Sequence, residues 1–313
     1  MNLTAQDKIA VEKINLFADK NNFDLKDAKI RRTSSRFCLG VEHGDYNGTE
    51  LFGVGTDRFI WLAYKPNNTK RMRLFSGNFP DDGVIEFNLT DVPEPQSVKD
   101  SWARFPYGVD YILTKAGYKL TKGMDIVIFG NIPGGGMSRS ASLSLNLILS
   151  VLDVNDIKID DRMEIVDLAQ QVENDYIGSP CGKLDQIMIL FAKESMGTYY
   201  NPADNSIDYV PFGADAEDFR IVSLDTGTIR PGLEKSTYKL RREQCQQLVE
   251  LLRKAGYKIN ALADIKDQQN YEKIQQEFSD KYPDLCERLK YIYNAQQRFY
   301  KMLDAWKKGD MIT

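Results

Sequence analysis

Residues 124–152, MDIVIFGNIPGGGMSRSASLSLNLILSVL, decide the fold of this chain. The segment begins with an apolar run, MDIVIFG, that has the length and composition of a buried strand. Three consecutive glycines follow, and such a run cannot form the interior of a helix, because glycine is a poor helix former. From Ser140 onward the sequence is apolar on nearly every helical face, which indicates a buried helix. We therefore predict a strand, a glycine loop and a buried helix in succession.

The three glycines, Gly134, Gly135 and Gly136, lie just before the N-terminus of the predicted helix. Backbone without side chains lets N–H groups approach an anion closely, and a helix N-terminus adds roughly half a positive charge. The sequence matches neither the G-x-x-x-x-G-K-[ST] pattern nor the G-x-G-x-x-G pattern. The loop therefore indicates either a phosphate site or a plain tight turn.

Three serines, Ser138, Ser140 and Ser142, lie at the start of the same predicted helix. Serine hydroxyls at a helix N-terminus cap exposed N–H groups, and one of them can instead reach a magnesium ion held by nucleotide phosphates. Ordinary capping explains one serine better than three. Both interpretations stay open on these residues alone.

A second constellation runs from Glu173 to Asp185, ENDYIGSPCGKLD. One acid ends a predicted helix, a loop rich in glycine and proline follows, and the other acid lies beside backbone that can approach a ligand. Phosphate transfer from a nucleotide to an alcohol uses one carboxylate near Mg²⁺ and another that accepts the hydroxyl proton. Because surface acids are common, two solvated carboxylates are the alternative.

The only histidine of the chain, His43, lies in the segment EHGDYNG that begins at Glu42. The segment ends in Asn47-Gly48, a turn dipeptide whose residues both tolerate positive φ. A surface turn is therefore one interpretation. The other is a rigid turn whose acids and imidazole bind the hydroxyl groups of a polar ligand.

Arg36 lies six residues before Glu42, on the strand that enters this motif. A guanidinium group beside a catalytic carboxylate keeps that carboxylate ionised and offsets the charge of a transferring phosphoryl group. A surface salt bridge is the alternative for this arginine.

Size and composition narrow the classes of function. The 313 residues have a mass of 35.7 kDa, enough for two domains or one large α/β unit. A net charge of −4 and a pI near 5.3 argue against a nucleic-acid surface. Four separated cysteines without a C-x-x-C pair argue against zinc and favour a reduced compartment. Because no signal core or membrane-length apolar run is present, we expect a soluble, cytoplasmic protein.

The rest of the chain mixes strands and helices. Strands are predicted at residues 36–41, 59–66, 84–89 and 219–227, and a hairpin over residues 197–212. Helices are predicted at residues 1–20, 101–117, 161–174 and 237–256, the last closed by Gly256, and over most of the chain beyond. A boundary near residue 213 divides a strand-rich domain, 1–213, from a helix-rich domain, 214–313.

Five ordered segments together resemble the galactokinases, a branch of the GHMP kinases. They are RFCLGVEHGDYNG, SWARFPYGV, GGGMSRSAS, ENDYIGSPCGKLDQ and TGTIRPGLEKSTYKLRREQC, spanning roughly residues 36 to 245. The resemblance implies an α+β, two-domain GHMP kinase fold with the active site in the interdomain cleft. It also implies ATP-dependent phosphorylation of galactose at the anomeric C1 hydroxyl, with Mg²⁺, giving galactose 1-phosphate.

The same resemblance assigns roles to individual residues. Asp185 would be the catalytic base and Arg36 its electrostatic partner, while Ser140 and Glu173 would hold Mg²⁺. The nucleotide would be bound by residues that surround the phosphates or border adenine: Gly134, Gly135, Gly136, Ser138, Ser140, Trp102 and Phe105. The sugar hydroxyls would be contacted by Glu42, His43, Asp45, the backbone of Gly182, and Tyr238.

The chain departs from the family pattern at several places. Arg139 replaces a serine of the glycine-loop motif and would contact phosphate or point to solvent. Cys38 stands where asparagine is usual, Gly40 lies one place early, and RRTSS replaces an Ala-Pro-Gly lead-in. The family's third, glycine-rich motif does not follow before Thr313, so we expect the second domain to be incomplete and this chain alone to be impaired.

Two alternatives to a galactose kinase stay open. One is a kinase for a related sugar, such as N-acetylgalactosamine or arabinose. The other is a catalytically silent sensor that binds galactose and ATP, although Arg36, Ser140, Glu173 and Asp185 argue against it. We expect no nucleic-acid or membrane partner and a monomeric protein.

Overall fold

A computed structural model describes residues 3–98, 101–133, 136–212, 220–224 and 233–310, with only the backbone described for residues 233–238. The described part of the chain is α+β. Its contacts divide the chain into two compact units that interleave along the sequence. Unit 1 comprises Met1–Arg36, Thr56–Ser179 and Asp185–Leu190, and unit 2 comprises Phe37–Gly55, Pro180–Leu184 and Phe191–Thr313. The boundary predicted at residue 213 falls inside unit 2 and, as a division into domains, stays a prediction.

The elements follow one another in a mixed order. The strands are β1 (Lys29–Cys38), β2 (Leu51–Pro66), β3 (Arg71–Ser76), β4 (Val84–Asn88), β5 (Met124–Gly130), β6 (Met196–Asn201) and β7 (Ser206–Pro211). The helices are α1 (Ala5–Lys20), α2 (Arg104–Lys115), α3 (Arg139–Val154), α4 (Arg162–Gln171), α5 (Leu184–Leu190), α6 (Leu233–Lys254), α7 (Gln268–Phe278) and α8 (Pro283–Lys307). A π-helical turn, Val172–Ile177, directly follows α4.

The sheet of unit 1 is built around β5. This strand pairs with β3 in parallel and with β2 antiparallel, while β4 pairs antiparallel with β3 and β1 pairs with β2. Met124 and Ile126 to Ile128 of β5 are buried and its other residues are half-buried, which agrees with its largely apolar sequence. The prediction of a strand at residues 124–130 is confirmed.

Helices of unit 1 pack against its strands and against one another. In one hydrophobic cluster, α1 packs against the sheet: Ala10, Ile14 and Ala18 of the helix lie with Trp61 and Val127 of the strands. Helix α3 contacts α2 and α4 and is buried on almost every face, as predicted from its sequence. The strand and the buried helix therefore occur in the predicted succession; of the three glycines between them only Gly136 is described, and α3 starts three residues after it.

Unit 2 has its own core. Leu51 to Gly53 of β2 pair antiparallel with β6, and β6 and β7 form the predicted hairpin. The core joins Phe52 and Val54 to the apolar faces of α6, α7 and α8, including Leu252, Leu289 and Phe299. Helix α6 ends at Lys254, and Gly256 follows in the left-handed region with φ +94, as its predicted role as a C-cap requires.

One predicted strand is wrong in its described part, and one strand of the structure was not predicted. The strand predicted at residues 219–227 is wrong in its described part, because residues 220–224 form no strand. Val222 and Leu224 are 74% and 83% exposed, so this apolar alternation does not mark a buried sheet face. Strand β3 was not predicted, although its alternation of buried Met72 and Leu74 with charged Arg71 and Arg73 is the pattern of a half-buried strand.

Among the described residues, none of the helices combines the length and apolar character that crossing a bilayer requires.

Asp110 of α2 provides a test of packing in unit 1. This carboxyl is buried, and its two oxygens accept hydrogen bonds from the backbone N–H of Thr90 at 3.0 and 3.1 Å. Burial raises the pKa of Asp110 from 3.8 to about 6. Because the folded state holds this proton more tightly, the group's stabilising contribution is complete below pH 4 and is lost as the pH rises through about 6.

We predict that Asp110→Asn abolishes this pH dependence while keeping an acceptor for Thr90. Between pH 4 and pH 7 the free energy of unfolding of the parent chain should fall by roughly 2 to 3 kcal/mol relative to the variant. Urea unfolding at several pH values measures the difference. A constant difference between the two proteins over this range would contradict the prediction.

Candidate active site

Arg36 and Asp185 form an ion pair within unit 1. The Arg36 Nε donates to Asp185 Oδ1 at 2.8 Å, and Nη2 lies 2.6 Å from the same oxygen. The side chain of Arg36 is 11% exposed and that of Asp185 is 29% exposed, so the pair is half-buried and differs from the fully solvated salt bridge considered from the sequence. Arg36 ends the unit 1 part of β1 and Asp185 lies in the first turn of α5, 149 positions along the chain.

Arg36 and Asp185 also form hydrogen bonds with the segment that leads into α3. Arg36 donates through Nη1 to the carbonyl oxygen of Gly136 at 2.8 Å and through Nη2 to Ser138 Oγ at 2.5 Å. Ser138 in turn donates its hydroxyl hydrogen to Asp185 Oδ2. A guanidinium, a hydroxyl and a carboxylate are therefore fixed together at the N-terminus of a 16-residue helix, where backbone N–H groups favour anions.

A second polar cluster of unit 1 surrounds Glu173. The Ser140 hydroxyl donates to Glu173 Oε2 and the Gln186 amide to Oε1, both at 3.0 Å. Glu173 belongs to the π-helical turn, and such turns are common at functional sites. Burial, reinforced by the nearby Asp185, raises the pKa of Glu173 to about 7, while the two hydrogen bonds and Arg36 oppose the rise.

These oxygens suit a magnesium ion. Mg²⁺ prefers hard oxygen ligands and is commonly bound through one or two protein groups together with water and substrate phosphates. Ser140 and Glu173 present a hydroxyl and a carboxylate side by side, so the donor set fits a metal that is bound with a nucleotide. In the described ranges no cluster of three or more His, Cys, Asp or Glu side chains forms a metal site.

The serines at the start of α3 do not cap the helix as one interpretation had it. Ser138 occupies the N-cap position in the left-handed region, with φ 49, and its hydroxyl makes no cap bond. The hydroxyl of Ser140 binds Glu173, and that of Ser142 binds Thr33 of β1. All three side chains therefore connect the helix to other elements.

The segment that holds His43 forms a turn in unit 2 that is held by side-chain hydrogen bonds. His43 has φ 59, and its carbonyl accepts a hydrogen bond from Asn47 Nδ2 at 2.7 Å. Its Nδ1 lies 2.8 Å from the hydroxyl of Tyr46. Burial, and then the charge of Arg241, lowers the pKa of His43, which favours the neutral imidazole. A neutral ring offers one donor and one acceptor, as polar recognition of a hydroxyl requires.

Asp45 and Gly182 meet in the same unit. Asp45 Oδ2 accepts a hydrogen bond from the Leu184 N–H at 3.3 Å. A Cβ atom at position 182 would overlap the Asp45 carboxylate, so the present arrangement requires glycine there. The sequence indicated a role for the Gly182 backbone only through the family resemblance.

A cavity of about 420 Å³ in unit 2 borders two of the predicted sugar contacts. We call it the Glu42 cavity; its lining includes Glu42, His43, Tyr46, Arg241, Arg288 and Tyr291. The last four were not predicted. Arg241 and Tyr46 had a usable signal, since both lie within segments already singled out by resemblance, whereas Arg288 and Tyr291 of α8 had none.

The remaining predicted site residues are placed as follows. Trp102 is buried, and within the described part of the chain its Nε1 has no hydrogen-bond partner; Phe105 is half-buried. Gly136 has φ +84 and open space beside it. Gly134, Gly135 and the side chain of Tyr238 lie outside the described residues.

Arg139 is exposed, and its guanidinium lies 5.3 Å from the ring centre of Phe79. This contact is a cation–π interaction, and contact of Arg139 with phosphate stays a prediction.

Comparison with known proteins identifies the family of this chain. Residues 105–193 match the family model described as the GHMP kinases N terminal domain. A galactokinase of Streptococcus mutans is 34% identical over 283 residues, covering 88% of this chain and 68% of that protein. The chain belongs to the galactokinase family.

Other galactokinases match over different lengths. That of Streptococcus thermophilus is 35% identical over 69% of this chain, and that of Enterococcus faecalis is 30% identical over 88%. The chain spans 55% of the first and 69% of the second, so it covers about half to two thirds of these curated relatives.

A solved galactokinase has the same fold. The structure of the Lactococcus lactis galactokinase, described as complexed with galactose, superposes with a TM-score of 0.82 at 24% identity. The match covers 96% of this chain and 75% of that protein. The predicted α+β GHMP kinase fold is therefore confirmed.

We predict that Gly182→Ala displaces the Asp45 carboxylate and destabilises unit 2. The reason is the overlap between the added methyl group and that side chain. A double-mutant cycle separates this cause from others: Asp45→Ala should relieve most of the stability lost in Gly182→Ala, giving a coupling of about 1 kcal/mol or more. Thermal unfolding measures it, and additive losses would contradict the prediction.

Proposed function

We propose that the protein bearing this chain transfers the γ-phosphoryl group of ATP to the C1 hydroxyl of galactose, giving galactose 1-phosphate. The observation that carries the proposal is the fixed group of Arg36, Ser138 and Asp185 at the N-terminus of α3, in a member of the galactokinase family. A cytoplasmic location and a monomeric state belong to the same proposal.

Asp185 is proposed as the base. Its carboxylate would accept the proton of the C1 hydroxyl while that oxygen bonds to the γ-phosphorus and the bond to the departing ADP breaks. Arg36 holds one carboxylate oxygen and Ser138 the other, which fixes the direction of the remaining lone pairs. Positioning and charge therefore supply most of the rate enhancement.

The nucleotide would lie against the start of α3. Gly134, Gly135, Gly136 and Ser138 would surround its phosphates, because glycine backbone and a helix N-terminus together favour anions. Trp102 and Phe105 would border the adenine. The buried Trp102 Nε1, which has no partner among the described residues, supports this role as a donor that a ligand could satisfy.

Mg²⁺ would be held by Ser140 and Glu173, where it would neutralise charge on the nucleotide phosphates. Burial raises the pKa of Glu173 to about 7, so the carboxyl is partly protonated near neutral pH. A nearby cation would favour its ionised form. Gln186 holds one Glu173 oxygen, so the carboxylate is oriented before any ligand arrives.

The sugar hydroxyls would be bound by Glu42, His43, Asp45, the Gly182 backbone and Tyr238. The hydrogen-bonded turn and the neutral His43 support this role, since positioned donors and acceptors discriminate against a sugar that lacks the expected hydroxyl. A different sugar and a silent sensor are the competing outcomes of the tests that follow.

We predict that Asp185→Asn lowers kcat by two or more orders of magnitude and changes galactose affinity little. Turnover is measured as galactose 1-phosphate formed from ATP, with arabinose and N-acetylgalactosamine as parallel substrates. Asp175→Asn is the control, since Asp175 is an exposed acid that pairs with Lys115 and belongs to the π-helical turn that holds Glu173, outside the group of Arg36, Ser138 and Asp185. Near-normal turnover in Asp185→Asn would show that the base lies elsewhere, and binding of both ligands without turnover in the protein bearing this chain would favour a sensor.

We predict that Ser140→Ala raises the Mg²⁺ concentration needed for half-maximal turnover about tenfold or more, because one metal ligand is removed. Ser144→Ala is the control: this serine lies in the same helix, and its hydroxyl makes no hydrogen bond to any described residue. An unchanged Mg²⁺ requirement in Ser140→Ala would remove that residue from the metal site.

A further inference from the structure

The stretch RRTSS before Arg36 carries hydroxyl groups that the proposed function does not use. Thr33 and Ser35 of β1 are both buried, whereas Ser34 between them is half-buried. Because side chains alternate along a strand, Thr33 and Ser35 share one face of β1. In this chain the face is polar where the galactokinase pattern has an Ala-Pro-Gly lead-in.

Ser35 bonds directly to the segment between the glycines and α3. Its hydroxyl donates to the carbonyl oxygen of Met137 at 2.5 Å. The next residue, Arg36, donates to the carbonyl of Gly136 and to the hydroxyl of Ser138. Two successive residues of β1 therefore hold three successive residues of the segment.

Thr33 makes a reciprocal connection one turn into α3. Its Oγ1 donates to the Ser142 carbonyl at 2.9 Å, and the two hydroxyl oxygens are also 2.9 Å apart. The Ser142 hydroxyl can donate to the Thr33 carbonyl at 3.3 Å. Strand and helix are thus joined by side chains at a buried site, where losing one partner leaves the other unsatisfied.

The segment needs such support. Gly136 and Ser138 both have positive φ, +84 and +49, and the left-handed region is unfavourable for a serine. Strained backbone persists only where its surroundings fix it. Of the two, only Ser138 is strained, because glycine adopts positive φ without a steric penalty. Arg36 binds Gly136 and Ser138, and Ser35 binds Met137 between them.

We propose that Thr33 and Ser35 are positioning residues that hold residues 136–142 in the conformation that binds the phosphates of ATP. The nucleotide part of this inference rests on the proposed function. The competing explanation is that the hydroxyls only satisfy buried polar groups. Ser144 shows that a buried serine of α3 exists without any bonding partner among the described residues, so it provides a matched comparison.

The test compares Ser35→Ala and Thr33→Val with Ser144→Ala and Thr33→Ser. Hydrogen exchange of peptides covering residues 136–142 reports the backbone, and calorimetric titration with Mg²⁺–ATP and with galactose reports the two ligands. Ser35→Ala and Thr33→Val should exchange faster in this segment and bind ATP roughly five- to tenfold more weakly, with unchanged galactose affinity. Ser144→Ala and Thr33→Ser should behave as the parent chain.

Three outcomes would overturn the inference. They are unchanged exchange in both hydroxyl deletions, equal loss of ATP affinity in Ser144→Ala, or parallel losses of ATP and galactose affinity, which indicate general destabilisation. A parent chain that binds no ATP would instead overturn the proposed function. The exchange comparison would then still decide whether the two hydroxyls hold the segment.

Discussion

The ion pair between Arg36 and Asp185 is the interaction on which the candidate catalytic site depends. Arg36 is largely withdrawn from water and Asp185 partly, which costs free energy, and the pair offsets this cost only if the remaining donors and acceptors are also bound. That condition is met, because Arg36 also binds the Gly136 carbonyl and Ser138, and Ser138 binds the second oxygen of Asp185. Each member therefore fixes the others, and the position of the carboxylate follows from the fold.

This arrangement also links β1, α3 and α5. The strand supplies Arg36, the segment before α3 supplies Gly136 and Ser138, and the first turn of α5 supplies Asp185. A site built on helices and strands holds its groups more rigidly than one on loops. The left-handed φ of Ser138 costs conformational free energy, and the hydrogen bonds of Ser138 to Arg36 and Asp185 offset that cost.

Much of the fold was predictable from local pattern. The apolar run of β5, the all-round burial of α3 and the β6–β7 hairpin each depend on composition and periodicity within one segment. The strand predicted at residues 219–227 is wrong in its described part because a strand also needs a neighbouring strand to pair with. The sequence of one segment does not show whether such a neighbour exists. The π-helical turn that holds Glu173 likewise has no pattern in the sequence that distinguishes it from the end of α4.

The candidate site was less predictable from local pattern than from resemblance. Arg36 and Asp185 are 149 positions apart, and only family likeness brought them together before the structure did. Gln186 and Ser35 were missed because resemblance transfers only residues that carry a family role, and their partners, Glu173 and Met137, are distant in sequence. Gly182 shows the reverse, since its requirement for glycine becomes physical only once Asp45 is seen beside it.

Helical geometry explains why the serines at the start of α3 cannot share one task. Residues two positions apart on a helix point about 200° away from each other. Ser140 and Ser142 must therefore face different neighbours, and they do: Glu173 on one side and Thr33 of β1 on the other. Ser138, outside the helical conformation, is free of this constraint and turns to Asp185. A row of three similar residues thus connects three different elements to one helix terminus.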